Sequence, residues 1–453
     1  MRPKPLVAFF ALAAFAATPA IASIGCKGAP PVIVSPPPPP DPPQKLEFID
    51  DDYATALQRA KAKQRPIFVE AWAPWCHTCL SMRAFVFGDP RLVAERDRFV
   101  WLSIDTEQPR NASFVEKFPL EFWPTLWVID PATERPLLKW VGSATAIELA
   151  ELLDDVSSGE ANGEAGAAFL RGSQAAAAGR AADAVTEYRA SLGAAPVDWP
   201  KRPRVVEALT VQLSMMGDAA GCVDLAIKEL PDLPPGSSRA EVALTALACG
   251  ESLPKKATQR ADVPTLADIV ARMAGDLNQP ILADSRSELY SQLVDYRTAT
   301  GDLPGAKRAA TSWAKFLEQE AASAPTSAAR AVFDTDRLSA YLALGQVDKA
   351  IPMLQQSERD FPGDYNPPAR LARAQLELGH LDDALASVER ALSKVYGPRK
   401  LRILALKADI LEKQGNKSGA KLVLQDAVKL GDAMTLSGGY AKLLVELKKR
   451  AGA

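Results

Sequence analysis

Two rhythms of apolar and polar residues divide the chain near residue 160. Between residues 45 and 157, short apolar runs alternate with amphipathic stretches, the pattern of an α/β domain built on a central sheet. Asp50 to Asp52 supply caps for a helix over Tyr53–Lys63, and Pro66 ends it before a buried strand at Ile67–Ala71. A long helix is predicted from Cys76 through Val86 and another from Pro90 to Arg98, followed by a strand at Phe99–Ile104. A short helix over Asn111–Phe118 precedes a hairpin of strands Thr125–Ile129 and Leu137–Val141, turning at Pro131–Glu134. Ala144–Val156 closes the domain as a helix, and the Ser-, Gly- and Glu-rich stretch 158–166 reads as a linker.

From 167 to 450 only the helical period remains. Its units share a glycine followed five residues later by a small residue: Gly179 with Ala184, Gly217 with Cys222, Gly301 with Ala306, Gly345 with Ala350, Gly379 with Ala384 and Gly415 with Ala420. The glycine ends one helix in the left-handed conformation, and the small side chain lets the next helix pack closely. Gly345 and Gly379 stand 34 residues apart, so this region resembles a tetratricopeptide array. Its best unit is Ala331–Asp364, where Asp334 replaces the family's leading Trp; atypical helices are expected between Ser238 and Leu277.

Composition narrows the function. A chain of 453 residues that is 47% hydrophobic has material for two or three cores, and a net charge of −2 without a basic cluster argues against nucleic acid as a partner. Arg2, Lys4 and the apolar run Leu6–Ala17 read as a signal peptide over residues 1–25, too short for a membrane span. Two processing outcomes stay open. Ala20-Ile21-Ala22 suits an ordinary signal peptidase, whereas Ser23-Ile24-Gly25-Cys26 resembles a lipoprotein lipobox with Cys26 as the lipidation site. Residues 26–44, with the run Pro36–Pro40, form a Pro-rich tether. The expected location is the periplasm or cell envelope, with membrane contact only through a lipid anchor.

The chemistry centres on Trp72-Ala73-Pro74-Trp75-Cys76-His77-Thr78-Cys79, which resembles the active-site segment of the thioredoxin superfamily. The features around Phe85, Gly88-Asp89-Pro90 and the strand ending at Asp105 resemble the C-terminal domain of membrane thiol-disulfide interchange proteins. The fold class expected is therefore an α/β thioredoxin-like domain over 45–157, followed by an all-α tetratricopeptide-repeat solenoid. A strand-to-helix turn places Cys76 where unpaired backbone N–H groups favour a thiolate, so Cys76 is the nucleophile and Cys79 the resolving thiol. A zinc site would need a second Cys or His pair at ligand spacing, and none follows, so no metal is assigned. The dithiol itself carries the electrons, and no cofactor is expected.

The resemblance further implies that Glu70, six residues before Cys76, assists proton transfer at Cys79, although a strand-end carboxylate turned to solvent is the plainer alternative. It makes Trp123-Pro124-Thr125 a cis-proline segment that pairs with substrate. Trp75, His77, Trp123 and Pro124 are thus the substrate-binding candidates, with Trp75 and Trp123 partly exposed and Trp72 more buried. Gly142 also matches a family position. His77 and Thr78, in place of the Gly and Pro of ordinary thioredoxin, leave the redox potential open within about −270 to −120 mV.

Cys222 and Cys249 are either a structural disulfide or two buried thiols, and His380 reads as an exposed turn residue. The expected partners are protein disulfides, an upstream thiol-disulfide electron donor and a protein bound by the repeats. A non-catalytic scaffold lipoprotein and a metallochaperone-type assembly factor stay open as alternatives.

Overall fold

The computed structural model describes residues 45–120, 122–158, 163–436 and 438–452. The expected signal peptide and tether, with Cys26, lie outside the described residues.

The sheet has five strands, β1 (Phe48–Asp50), β2 (Ile67–Trp72), β3 (Val100–Asp105), β4 (Thr125–Ile129) and β5 (Pro136–Val141), in the order β1-β3-β2-β4-β5. β1, β3 and β2 run parallel, whereas β4 is antiparallel to both β2 and β5. β2, bracketed on both sides, is almost continuously buried, as its apolar run requires. Alternation along the strands splits their side chains between two faces. Phe68, Trp101 and Val128 pack with Met82, Leu92 and Leu149, while Val69, Leu102 and Trp127 pack with Ala56, Ala60 and Phe114.

The helices of this part are α1 (Tyr53–Lys63), α2 (His77–Ser81), α3 (Pro90–Ala94), α4 (Ala112–Lys117) and α5 (Ala146–Ser158). Asp52 caps α1 by accepting the Thr55 backbone N–H at 2.9 Å. The predicted long helix after Cys76 is instead α2 continued by a π-helical turn at Met82–Val86, with Met82 and Val86 pointing into the core. The helix expected to reach Arg98 stops at Ala94, and β1 was not anticipated.

The helical part comprises α6 (Gly163–Ala177), α7 (Ala181–Ala194), α8 (Arg202–Met215), α9 (Ala219–Glu229), α10 (Ser237–Ser252), α11 (Val263–Gly275), α12 (Ala283–Ala299) and α13 (Leu303–Ser323). It continues with α14 (Ser327–Ala331), α15 (Asp334–Leu344), α16 (Ala350–Asp360), α17 (Asn366–Glu377), α18 (Leu381–Leu392), α19 (Arg399–Lys413), α20 (Lys417–Asp432) and α21 (Gly438–Ala451). All six turn glycines have φ between +66° and +83°, and the small residue five positions on is buried in every unit.

The expected linker at 158–166 is replaced in its second half by α6, which begins at Gly163 and packs on β5. Residues 45–453 form one compact unit. The core of the sheet's outer face runs on into the repeats through Phe169, Val205 and Leu209. Arg204 of α8, itself buried, meets Glu151 and Asp155 of α5 across this junction. None of the described helices is long and apolar enough to cross a membrane.

Candidate functional site at the Cys76–Cys79 turn

β2 ends at Trp72 and delivers the chain into the turn that opens α2, bringing Cys76 and Cys79 to a Cα separation of 5.3 Å, joined as a disulfide. The Cys79 backbone N–H donates to Cys76 Sγ at 3.0 Å, the orientation that stabilises a thiolate in the reduced form. Cys76 is 5% exposed and Cys79 is fully buried. Trp72, Trp75 and Trp123 pack around them, and the Trp123–Pro124 peptide bond is cis. Trp75 and Trp123 meet edge to face at 5.1 Å between ring centroids. Trp72, expected to be more buried than Trp75 and Trp123, is half-buried as they are, with the Arg83 guanidinium 3.7 Å from its ring centroid.

Glu70 does not turn to solvent. It sits in the middle of the sheet, paired with Ser103 and Leu126, and is buried. Burial pushes its carboxyl up, the charge and hydrogen bond of Arg83 pull it down, and the balance stands at about 7. Arg83 Nε donates to Glu70 Oε2 at 3.0 Å, a partner that sequence reasoning missed. The signal was present, since Arg83 follows Cys79 by four residues, one helical turn.

His77 and Thr78 face the helical repeats. His77 Nε2 lies 3.3 Å from Glu288 of α12 and 3.9 Å from Asp336 of α15. Thr78 Oγ1 donates to Glu288 Oε1 at 3.1 Å, and Ser81 Oγ donates to Asp284 Oδ1 at 3.0 Å. Burial by itself would lower the His77 imidazole's pKa. Asp336, then the hydrogen bond and charge of Glu288, then Asp284 overcome that and raise it to about 10. Asp284 in turn is raised by burial, and next by Glu288, to about 6. His77, read from sequence as touching substrate, is thereby engaged by carboxylates more than 200 residues further along the chain.

A second set of contacts covers the other side of the turn, centred on Glu107, a residue the sequence did not single out. Glu107 Oε1 accepts Trp75 Nε1 at 2.9 Å and the Tyr440 hydroxyl at 2.8 Å, and Oε2 accepts the Arg399 backbone N–H at 2.8 Å. The Arg399 guanidinium stands 5.0 Å from the Trp75 ring, and Asn366 Nδ2 donates to the Pro74 carbonyl at 3.1 Å. Tyr396 donates to Asp105, and Gly397, at φ +62°, lies so close to the Glu107 carbonyl that a Cβ there would collide with it.

Elsewhere, Cys222 and Cys249 form a second disulfide with a Cα separation of 6.4 Å. His380 is exposed at the start of α18. Among the described residues, no group of three or more His, Cys, Asp or Glu side chains could hold a metal ion. A dithiol–disulfide pair exchanges two electrons by itself and needs no external cofactor.

Residues 48–131 match a thioredoxin-like family model, and residues 341–398 match a tetratricopeptide-repeat model. The thiol:disulfide interchange protein DsbD of Pseudoalteromonas atlantica is 29% identical over 82 residues, which are 18% of this chain and 14% of that protein. The match therefore spans a small fraction of that relative's length. Among solved structures, a tetratricopeptide repeat protein from Parabacteroides merdae covers 64% of this chain and 99% of its own, at 12% identity and a TM-score of 0.42. A thermophilic repeat protein of Thermus thermophilus covers 55% of this chain and 98% of its own, at 20% identity and a TM-score of 0.27. The chain thus carries a thioredoxin-like domain, with a close cysteine pair at its redox turn, joined to a region of tetratricopeptide repeats.

Proposed function

We propose that the protein is an exported thiol-disulfide oxidoreductase that reduces or exchanges disulfides in other proteins through Cys76, with the repeats engaging partners. The observation that carries this reading is the Cys76–Cys79 disulfide at the opening of α2, beside the cis Trp123–Pro124 bond, within a thioredoxin-like domain. The local likeness to a thiol:disulfide interchange protein supports a role in thiol-disulfide exchange. The Cys222–Cys249 bridge supports export, since disulfides persist outside the reducing cytosol.

In the working cycle the Cys76 thiolate attacks one sulfur of a substrate disulfide. The substrate S–S bond breaks, one substrate thiolate leaves and takes a proton from water, and a mixed disulfide remains on Cys76. Cys79 then loses its proton and attacks the Cys76 sulfur, releasing the second substrate thiolate and closing the Cys76–Cys79 disulfide. The substrate gains two electrons and two protons, which an external dithiol donor must return to the pair. Glu70, held near 7 by burial against Arg83, is suited to take up the Cys79 proton.

The cover over Cys76 favours a second reading, in which the domain is a binding module whose dithiol is idle. Trapping separates the two. Cys79→Ser should accumulate a mixed disulfide on Cys76 when mixed with a disulfide substrate, and the reduced wild-type protein should reduce insulin in the presence of dithiothreitol. No adduct on Cys79→Ser, together with Cys76→Ser behaving like wild type, would sink the enzyme reading.

A further inference from the structure

Resting on the oxidoreductase reading, we propose that the helical repeats make Cys76 selective for slender disulfides, those of peptide-sized molecules or extended chain segments, by sealing one side of the redox turn and leaving a narrow cleft on the other. The sealed side is the one organised by Glu107. Trp75, which flanks the sulfur, is tied there through Glu107 to Tyr440 and the Arg399 backbone, and Pro74 is tied to Asn366. Glu107 is 2% exposed, so its three hydrogen bonds are made in a dry setting where each counts for more than at a surface. A globular partner needs about 800 Å² of contact on its side to bind stably, and this face offers it no free approach to the sulfur.

The other side is open. A cleft of about 310 Å³ lies between the cis-proline segment and the repeats, with Thr78, Phe122 and Trp123 on one wall and Met215, Leu244 and Glu241 on the other. Trp123 also packs on the cysteine pair, so the cleft borders the redox turn directly. Phe122, 48% exposed, stands at its rim. That volume is at the bottom of the range for small-ligand pockets, about 300–1,000 Å³, and suits a few residues of extended chain. Leu244, which lines the cleft, is therefore a specificity-determining residue contributed by the repeats, while Tyr440 and Asn366 lie outside the cleft and hold the sealed side shut.

The test uses the full chain, reduced, with two disulfide probes: cystamine, small enough to enter a cleft of this volume, and insulin. Combining Tyr440→Phe with Asn366→Ala removes two of the latching hydrogen bonds, and the rate with insulin should rise about tenfold or more while the cystamine rate stays within about threefold. Leu244→Trp should slow cystamine about tenfold by filling the cleft. In the wild-type protein, iodoacetamide should alkylate reduced Cys76 much faster than a maleimide carried on a bulky polymer does, and the latch variant should narrow that gap. Equal alkylation by both reagents in wild type, or an unchanged insulin rate in a folded latch variant, would overturn the size filter. Exchange with insulin but not with cystamine would likewise overturn the filter, whereas no exchange with either probe in any form of the protein would instead overturn the oxidoreductase reading beneath it.

Discussion

The chain has two histidines, His77 and His380, so the ionisation of the residue between the cysteines can be read directly by NMR. The perturbation is to neutralise its carboxylates by combining Glu288→Gln with Asp336→Asn. In the native protein His77 titrates at about 10 against an ordinary 6.5, a preference of the fold for the imidazolium of about 5 kcal/mol at most. Because the folded value is raised, that stabilisation is complete below about 6.5 and is lost as pH climbs through about 10. Without the two carboxylates, burial becomes the dominant influence and lowers the titration point below the ordinary value. The assay follows the imidazole C–H resonances of the oxidised protein from pH 5 to 10.5, with His380 supplying the second signal. Stability of wild type, from denaturant unfolding, should decline between pH 7 and 10, and the double variant should decline less steeply, the remainder coming from buried acids such as Glu241 and Glu207 that burial raises. A native His77 titrating near 6.5, or a titration unmoved in the double variant, would refute the assignment of this ion cluster.

Three further outcomes are expected. Glu70→Gln should slow the release of a Cys76 mixed disulfide by about 10²-fold and remove an inflection near pH 7 from its rate profile; an unchanged profile would relieve Glu70 of any proton role. Replacing Cys222 and Cys249 by Ala opens a loop with a sequence separation of 27, so denaturant unfolding should show a loss of about 3–4 kcal/mol, with no change in the Cys76–Cys79 equilibrium. Arg286→Lys should cost about 2 kcal/mol or more, because the buried guanidinium donates to the carbonyls of Met273, Ala274, Asp276 and Gln279 at the end of α11, and an ammonium cannot reach all four; an unchanged unfolding midpoint would count against this.

The features legible in the sequence were those with a local physical cause. α1 and β4 fall on their predicted bounds because an Asp cap, a proline and an apolar run mark them. The turn glycines and their buried small partners announced the repeats because only a residue tolerant of positive φ ends those helices cheaply. The π-helical turn after α2 left no such mark, since the apolar spacing of Met82 and Val86 fits an α-helix equally well. Linker composition also misled. Gly163 and Glu164 read as loop, yet Ala165 and Ala168 are buried as part of α6.

Long-range pairing was the larger gap. Nothing near His77 or Thr78 points to Glu288 and Asp336, and nothing near Glu107 points to Tyr440. A charged side chain in a loop and one on a repeat helix each look solvated until the fold buries them together. The redox turn was thus visible from its own residues, while its enclosure by the repeats was not.

The most direct test of the account equilibrates the full chain with graded mixtures of reduced and oxidised glutathione and counts free thiols on Cys76 and Cys79 by acid quench, alkylation and mass spectrometry. A redox-active pair should pass through one two-electron transition within about −270 to −120 mV, while Cys222 and Cys249 stay oxidised throughout. A Cys76–Cys79 bond that stays closed below about −300 mV, as structural disulfides do, would contradict a catalytic role for Cys76.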